Sequence, residues 1–80
     1  MTDEELDRLV GPRYGYLFRV LERLGQATPK QLEAESGMNY RTILMAMQIL
    51  AARGLIEIGK EPITGKRRPA QLLRPKRPAA

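Results

Sequence analysis

Three consecutive cationic side chains, Lys66, Arg67 and Arg68, are the strongest chemical signal in the sequence. They follow a Thr64-Gly65 pair, which favours a turn. Three adjacent cations on a turn repel one another and gain nothing from folding, whereas phosphates or the negative potential of a narrow minor groove would stabilise them. A basic loop can also serve solubility alone. We expect this point of the chain to contact a polyanion.

A second candidate set lies at helical spacing in residues 40–53. At 100° per residue, one stripe is apolar and predicted to be buried: Ile43, Met47, Leu50 and Gly54, with Ala46 at its edge. The opposite stripe carries Arg41, Met45, Gln48 and Ala52. In a major groove, Arg41 could bind guanine through two hydrogen bonds, Gln48 could read adenine, and Met45 could contact a thymine methyl group.

The start of the same segment adds polar groups. Asn39, Tyr40 and Thr42 could donate hydrogen bonds to phosphates or bases. The alternative is a solvated helix face that contains a single arginine. Leu44 and Met45 would be unusual on such a face, so their predicted exposure favours some contact.

Side chains suited to catalysis or metal binding are scarce. The chain has 80 residues, no Cys and no His, which removes thiolate ligands, disulfides and the commonest general base. Glu33 and Glu35 are two residues apart and point to different sides of a helix. A domain of this size has little room for a deep pocket. We therefore expect no enzyme activity, no cofactor, no metal and no small-molecule ligand.

The charges divide unevenly between the halves of the chain. Lys and Arg number 14 against 9 Asp and Glu, a net charge of +5. Residues 1–38 carry five basic and seven acidic side chains, a net charge of −2, and residues 39–80 carry nine basic and two acidic, a net charge of +7. Residues 75–80 are predicted to form a disordered basic, Pro-rich tail, and Arg74, Lys76 and Arg77 to add only nonspecific attraction to phosphates.

No apolar run approaches the roughly 18–20 residues of a membrane span, and the first residues are acidic where a signal peptide would be basic. We therefore expect no membrane association and a cytoplasmic, nucleoid-associated location. A prokaryotic, viral or plasmid origin is expected.

Local signals predict two helices in the acidic half. Thr2 and Glu5 form a capping box for a helix over residues 3–10, and Pro12 and Gly25 bound a helix over 12–24. The second helix has one predicted buried face: Tyr14, Leu17, Phe18, Leu21 and Leu24. Tyr16 and Val20 widen its apolar arc. Either the first helix covers this extra strip through Leu6, Leu9 and Val10, or a second subunit does.

Two further helices and a hairpin follow. Thr28, Pro29 and Gln31 predict a helix that Gly37 ends, and Asn39 caps a helix over 40–53 that Gly54 closes. This spacing matches a helix-turn-helix, although two helices of an ordinary small bundle give the same signals. Residues 55–60 and 70–74 then predict a β-hairpin with a long basic tip over 61–69.

This order of elements resembles the winged-helix domains of MarR- and ArsR-type regulators over roughly residues 12–74. The resemblance rests on residues at family-like spacing: Thr28, Leu32 and Gly37, then Ile43, Met47 and Leu50, then Gly54-Leu55-Ile56, and Arg67-Arg68-Pro69-Ala70 before the last strand. The chain departs from the family at Glu33 and Ser36, where a small Ala and a Leu are usual. We expect no counterpart of the family's C-terminal dimerisation helix in these residues.

The resemblance implies a mainly α fold with a small β-hairpin (α+β): a winged helix-turn-helix with three core helices plus a wing. Residues 1–11 would form an acidic segment, 12–74 the DNA-binding domain and 75–80 the tail. The implied function is sequence-specific binding of double-stranded DNA by a small transcriptional regulator. Helix 40–53 would read the major groove, and the wing over 61–69 would contact the minor groove or backbone.

The expected assembly is a homodimer through the N-terminal helices. Two other functions stay open at the level of sequence. A winged helix can also be a protein interaction module, here through Leu44, Met45 and Ile49. The basic hairpin could instead bind RNA.

Overall fold

The computed structural model describes residues 1–60 and 71–78. The described residues form four helices and one antiparallel hairpin, so the α+β expectation is confirmed. The elements are α1 (Asp3–Val10), α2 (Pro12–Leu24), α3 (Pro29–Ser36), α4 (Tyr40–Ala52), β1 (Ile56–Lys60) and β2 (Gln71–Pro75).

Side-chain caps begin three of the helices, as the sequence predicts. The Glu5 amide donates to Thr2 Oγ1 at 3.1 Å, and the Gln31 amide donates to Thr28 Oγ1 at 3.2 Å. In both boxes the third helical residue accepts a hydrogen bond from the backbone N–H of its cap. These bonds satisfy amides that the first helical turn leaves without partners. At α4, Asn39 Oδ1 accepts from the Thr42 amide at 2.8 Å.

Two glycines with positive φ end α3 and α4. Gly37 (φ 75°) adopts the left-handed conformation, and its amide donates to the Glu33 carbonyl. After α4, the Gly54 amide (φ 73°) donates to the Ala51 carbonyl, and the Leu55 amide donates to the Leu50 carbonyl. This second pattern is a Schellman motif, which satisfies the last carbonyls and turns the chain into β1.

The core surrounds α2, where Phe18 is completely buried. All four helices and both strands contribute to it: Leu6, Leu17, Phe18, Val20, Leu21, Ala27, Leu32, Ile43, Ala46, Met47, Leu50, Leu55, Ile56 and Leu73. Because Leu6 is buried among them, α1 packs as part of the same unit as the other helices.

The predicted buried face of α2 is correct at its centre and wrong at its end. Leu17, Phe18 and Leu21 are buried, but Leu24 is 38% exposed because it lies in the last turn. On the extra apolar strip, Val20 is buried and Tyr16 is exposed. Among the α1 residues expected to cover that strip, Leu6 is buried and Leu9 stays exposed.

The hairpin is fixed to the helices through β2. Its register pairs Ile58 with Leu73 and Glu57 with Arg74. At the middle of β2, Leu73 also exchanges both backbone hydrogen bonds with Ala27, at 3.0 and 2.8 Å. Because Ala27 lies directly before α3, this bridge holds the hairpin in a defined position relative to α3.

Gly15 allows α1 to approach α2 closely. A Cβ atom built on Gly15 would lie only 3.1 Å from Asp7 Cγ and closer still to Asp7 Oδ1. That oxygen accepts a hydrogen bond from Arg19 Nη1 at 2.9 Å, and both side chains are about two-thirds buried. A side chain at position 15 would therefore displace Asp7 from Arg19.

This geometry predicts coupling between positions 7 and 15. In the wild-type background, Gly15→Ala should lower the free energy of unfolding by about 1 kcal/mol, because loss of the Asp7–Arg19 pair and strain outweigh the helix propensity of alanine. In an Asp7→Ala background the same substitution should raise it by about 0.5–1 kcal/mol. Urea denaturation of the four proteins measures both effects. An equal effect of Gly15→Ala in both backgrounds would contradict the proposed contact.

Candidate nucleic-acid interface

The outer face of α4 is the candidate reading surface. The predicted inner stripe of Ile43, Met47 and Leu50 is buried, and so is Ala46. The outward stripe has the spacing of a single helical face and is exposed throughout: Arg41, Leu44, Met45, Gln48 and Ala52. The sequence thus predicted correctly which side of α4 faces outward.

The polar and apolar groups of this stripe alternate along the helix axis. Arg41 occupies the first turn, Leu44 and Met45 the second, and Gln48 the third. Met45 is 53% exposed, the largest value among the exposed large apolar side chains of the described residues. No residue of α4 is acidic, so the helix itself would not repel a phosphate backbone.

The predicted polar groups at the start of α4 are not equally available for hydrogen bonds to a ligand. Asn39 Oδ1 is engaged as the helix cap, so its side chain can offer an external ligand only the amide NH₂. Thr42 is half-buried, whereas Tyr40 is exposed. Tyr40 and Arg41 therefore present the more accessible donors at this end.

The predicted cations Lys66, Arg67 and Arg68 lie outside the described residues. The strands that lead to and from them are described, and the outer surface of the hairpin carries a shallow depression lined by Glu57, Ile58, Gly59, Leu72 and Arg74. Arg74 is exposed there.

Arg77 corrects the sequence interpretation of residues 75–80. Its guanidinium donates to Glu22 from Nε at 3.0 Å and from Nη2 at 2.6 Å, and to Asp3 from Nη2 at 2.8 Å. Nη1 donates to the Met1 carbonyl at 2.9 Å, and the guanidinium carbon lies 5.5 Å from the centre of the Phe18 ring. The Arg77 side chain is only 22% exposed. Its charge is used within the fold and is not free for a phosphate.

The acidic partners act on the ionisation of Arg77. The hydrogen bonds that its guanidinium donates to Glu22 raise the pKa of Arg77 above the ordinary value. Desolvation lowers this pKa, whereas the hydrogen bond to Asp3 and the charges of both carboxylates raise it further. Arg77 therefore stays charged at any pH at which the protein folds. Its neighbour Lys76 forms a solvent-exposed pair with Glu57 at 3.3 Å.

Sequence reasoning also missed the role of Ser36. Ser36 Oγ donates to the Leu32 carbonyl at 2.5 Å and accepts from the Met38 amide at 3.2 Å. The hydroxyl thus links the last turn of α3 to the three-residue connection before α4. The ability of serine to bond to nearby backbone was the available signal.

A shallow groove lies between the C-terminal ends of α1 and α4. Leu9, Val10, Ile49, Ala52 and Arg53 line it. Ile49, which the sequence suggested as part of a protein-docking patch, is half-buried along this groove, whereas Leu44 and Met45 lie on the outward stripe.

The chain matches no protein-family model, and no curated protein resembles it significantly in sequence. Within residues 1–60 and 71–78, no helix combines the length and apolar character needed to cross a membrane. The same residues contain no cluster of three or more acidic side chains placed to hold a metal ion.

The Arg77 cluster predicts a large loss of stability on its removal. Arg77→Gln would leave Glu22 and Asp3 without their shared cation, and we expect the free energy of unfolding to fall by about 2–3 kcal/mol. Lys76→Gln is the matched control, since it removes the adjacent exposed cation and should cost at most about 0.5 kcal/mol. Chemical denaturation measures both. Equal losses would contradict the role of Arg77.

Proposed function

We propose that this chain is a small sequence-specific double-stranded DNA-binding protein that acts as a transcriptional regulator through a winged helix-turn-helix. The observation that carries the proposal is the outward stripe of α4, which combines Arg41 and Gln48 with exposed apolar side chains. A helix that inserts into a major groove must present its reading side chains on one face with the opposite face buried.

The geometry around α4 supports the proposal. The connection from α3 to α4 consists of residues 37–39, which is a suitable length for a helix-turn-helix. β1 follows α4 after the Gly54 turn, and the bridge between Ala27 and Leu73 fixes the hairpin beside α3. The fixed position of these two strands supports the role of a wing that we propose for the hairpin.

Charge gives independent support. Two cations of the basic half are engaged with carboxylates, Arg77 inside the fold and Lys76 at the surface. Arg41, Arg53 and Arg74 are exposed, and none forms an ion pair with another described residue. Such cations can neutralise phosphates and release counterions.

The residues have distinct proposed roles. Arg41 binds a guanine edge, Gln48 reads adenine, and the Asn39 amide and Tyr40 contact the backbone near the start of α4. Lys66, Arg67 and Arg68 contact the flanking minor groove or backbone as the tip of the wing.

Selection of bound duplexes from a random pool tests this function. We expect a defined motif, and affinity for it that falls steeply with salt. Arg41→Ala should cost about 1–3 kcal/mol on the selected duplex and relax the preference at one position. Alanine substitution of Lys66, Arg67 and Arg68 together should weaken all duplexes alike and reduce the salt dependence.

Arg8→Ala is the charge control, because Arg8 is an exposed cation of the acidic half, paired with Glu4 at 3.4 Å. It should leave binding unchanged. If no duplex is enriched, or if Arg41→Ala and the triple variant bind like the wild type, the proposal is wrong.

We further propose that the protein binds as a homodimer through α1 and α2. The exposed Leu9 and Tyr16 of these helices support this assembly, since large apolar side chains at a surface favour association. Symmetric dimers also match the symmetry of palindromic sites.

Sedimentation analysis tests the dimer. The wild type should be dimeric at micromolar concentration, and Leu9→Glu with Tyr16→Glu should make it monomeric because two carboxylates would be buried in the contact. Ile58→Glu, at a β1 residue that is exposed to the same extent as Tyr16 but lies outside α1 and α2, should remain dimeric. A monomeric wild type would exclude the dimer while leaving DNA binding open.

A second candidate function is a protein interaction module, and the exposure of Leu44 and Met45 is the observation that favours it. The two functions differ in their response to salt. A complex that survives nuclease and high salt indicates a protein partner, whereas release at moderate salt indicates nucleic acid.

A further inference from the structure

Apolar side chains occupy the middle of the proposed reading face. Leu44 is 37% exposed and Met45 53%, and they lie between Arg41 and Gln48 on the same stripe. A rise of about 1.5 Å per residue places Arg41 and Gln48 roughly 10 Å apart along the helix axis. That distance corresponds to about three base pairs at 3.4 Å each.

Base edges in the major groove offer one apolar group, the C5 methyl of thymine. The same position carries a methyl group in 5-methylcytosine. Leu44 and Met45 have no hydrogen-bonding group with which to read any other part of a base edge, apart from the weak thioether acceptor of Met45. Against a duplex, the favourable partner for these two side chains is therefore a pyrimidine methyl group.

The charge around Leu44 and Met45 and the small area that they expose favour DNA over a protein as the ligand of this apolar patch. Arg41 and Arg53 flank it near the two ends of a helix that has no carboxylate. The exposed large apolar side chains of α4 are only three, Tyr40, Leu44 and Met45, whereas each partner of a standard protein–protein interface contributes roughly 20–30 residues and about 800 Å². A single helical stripe of this width fits a major groove about 12 Å wide.

We propose that Leu44 and Met45 read the C5 methyl group of a pyrimidine next to the guanine bound by Arg41, so that the preferred duplex carries thymine or 5-methylcytosine at that position. This inference rests on the proposed DNA-binding function and names the ligand chemistry of its reading helix. Affinity would then depend on cytosine methylation where the site contains cytosine.

Replacement of thymine by deoxyuridine tests the inference, because it removes only the methyl group and keeps base pairing. On the duplex selected from the random pool, each thymine is replaced in turn and binding is followed by fluorescence anisotropy. We expect an affinity loss of about fourfold at one or two positions, which corresponds to the ~0.8 kcal/mol of one buried methyl group. At those positions, 5-methylcytosine should bind about fourfold better than cytosine.

The variants Leu44→Ala and Met45→Ala should lose this discrimination and bind the thymine and deoxyuridine duplexes equally. Leu24→Ala is the matched control, since Leu24 is 38% exposed on α2 and should keep the discrimination. If the wild type binds the selected duplex but tolerates deoxyuridine at every position, the methyl readout is wrong and the DNA-binding function stands. If no duplex is selected, the function itself fails and the inference with it.

The same two variants also test whether the exposed apolar side chains of α4 contact DNA at all. Leu44→Ala and Met45→Ala variants that bind the selected duplex with wild-type affinity and selectivity would overturn the inference, and would assign the patch to another ligand.

Discussion

The guanidinium of Arg77 is the contact on which the arrangement of both ends of the chain depends. It binds Glu22 on the central helix and Asp3 at the start of α1, donates a further hydrogen bond to the Met1 carbonyl and lies over the Phe18 ring. Arg77 follows β2 by two residues, so the same contact ties the end of the hairpin to α2. Through this cation the end of the hairpin is tied to three other parts of the fold: the N-terminal residue, α1 and α2.

The position of the hairpin follows from this contact and from the backbone bridge between Ala27 and Leu73. β2 is anchored at its middle by the bridge and near its end by Arg77, and the Schellman turn at Gly54 fixes where β1 leaves α4. The two described strands of the hairpin are therefore held in a defined position relative to α3 and α4. A rigid scaffold is what a groove-reading surface requires, because base contacts depend on exact placement of a few side chains.

The cations of the basic half differ in whether they are paired within the fold. The acidic half of the sequence engages Arg77, whereas Arg41, Arg53 and Arg74 remain exposed in the basic half. Arg77 is therefore not available to an external anion, whereas these three exposed arginines lie on α4, at its C-terminal cap and on β2. Composition alone could not separate structural from available cations.

Local signals in the sequence were sufficient for the helices and the hairpin. The capping boxes at Thr2 and Thr28 and the helix end at Gly37 involve residues only three or four positions apart. A short stretch of sequence is therefore enough to predict where these helices begin and end. The partners of Arg77 are 55 and 74 residues away, and such contacts leave no local pattern. The contact between Gly15 and Asp7 joins two consecutive helices, so the periodicity within either helix does not predict it. At the candidate site, the helical periodicity of residues 40–53 predicted the exposed stripe of α4. The sequence also suggested Asn39 as a ligand-binding residue, but its Oδ1 atom is used to cap the helix.

The claim that α4 is a DNA-reading helix is tested most directly by NMR amide chemical shifts of the protein titrated with a selected duplex. The account predicts that the largest changes fall on residues 40–48 and on the hairpin strands, with the first turn of α1 and the Arg77 cluster little affected. Changes concentrated on α1 and α2, with the amides of α4 unmoved at saturation, would contradict it.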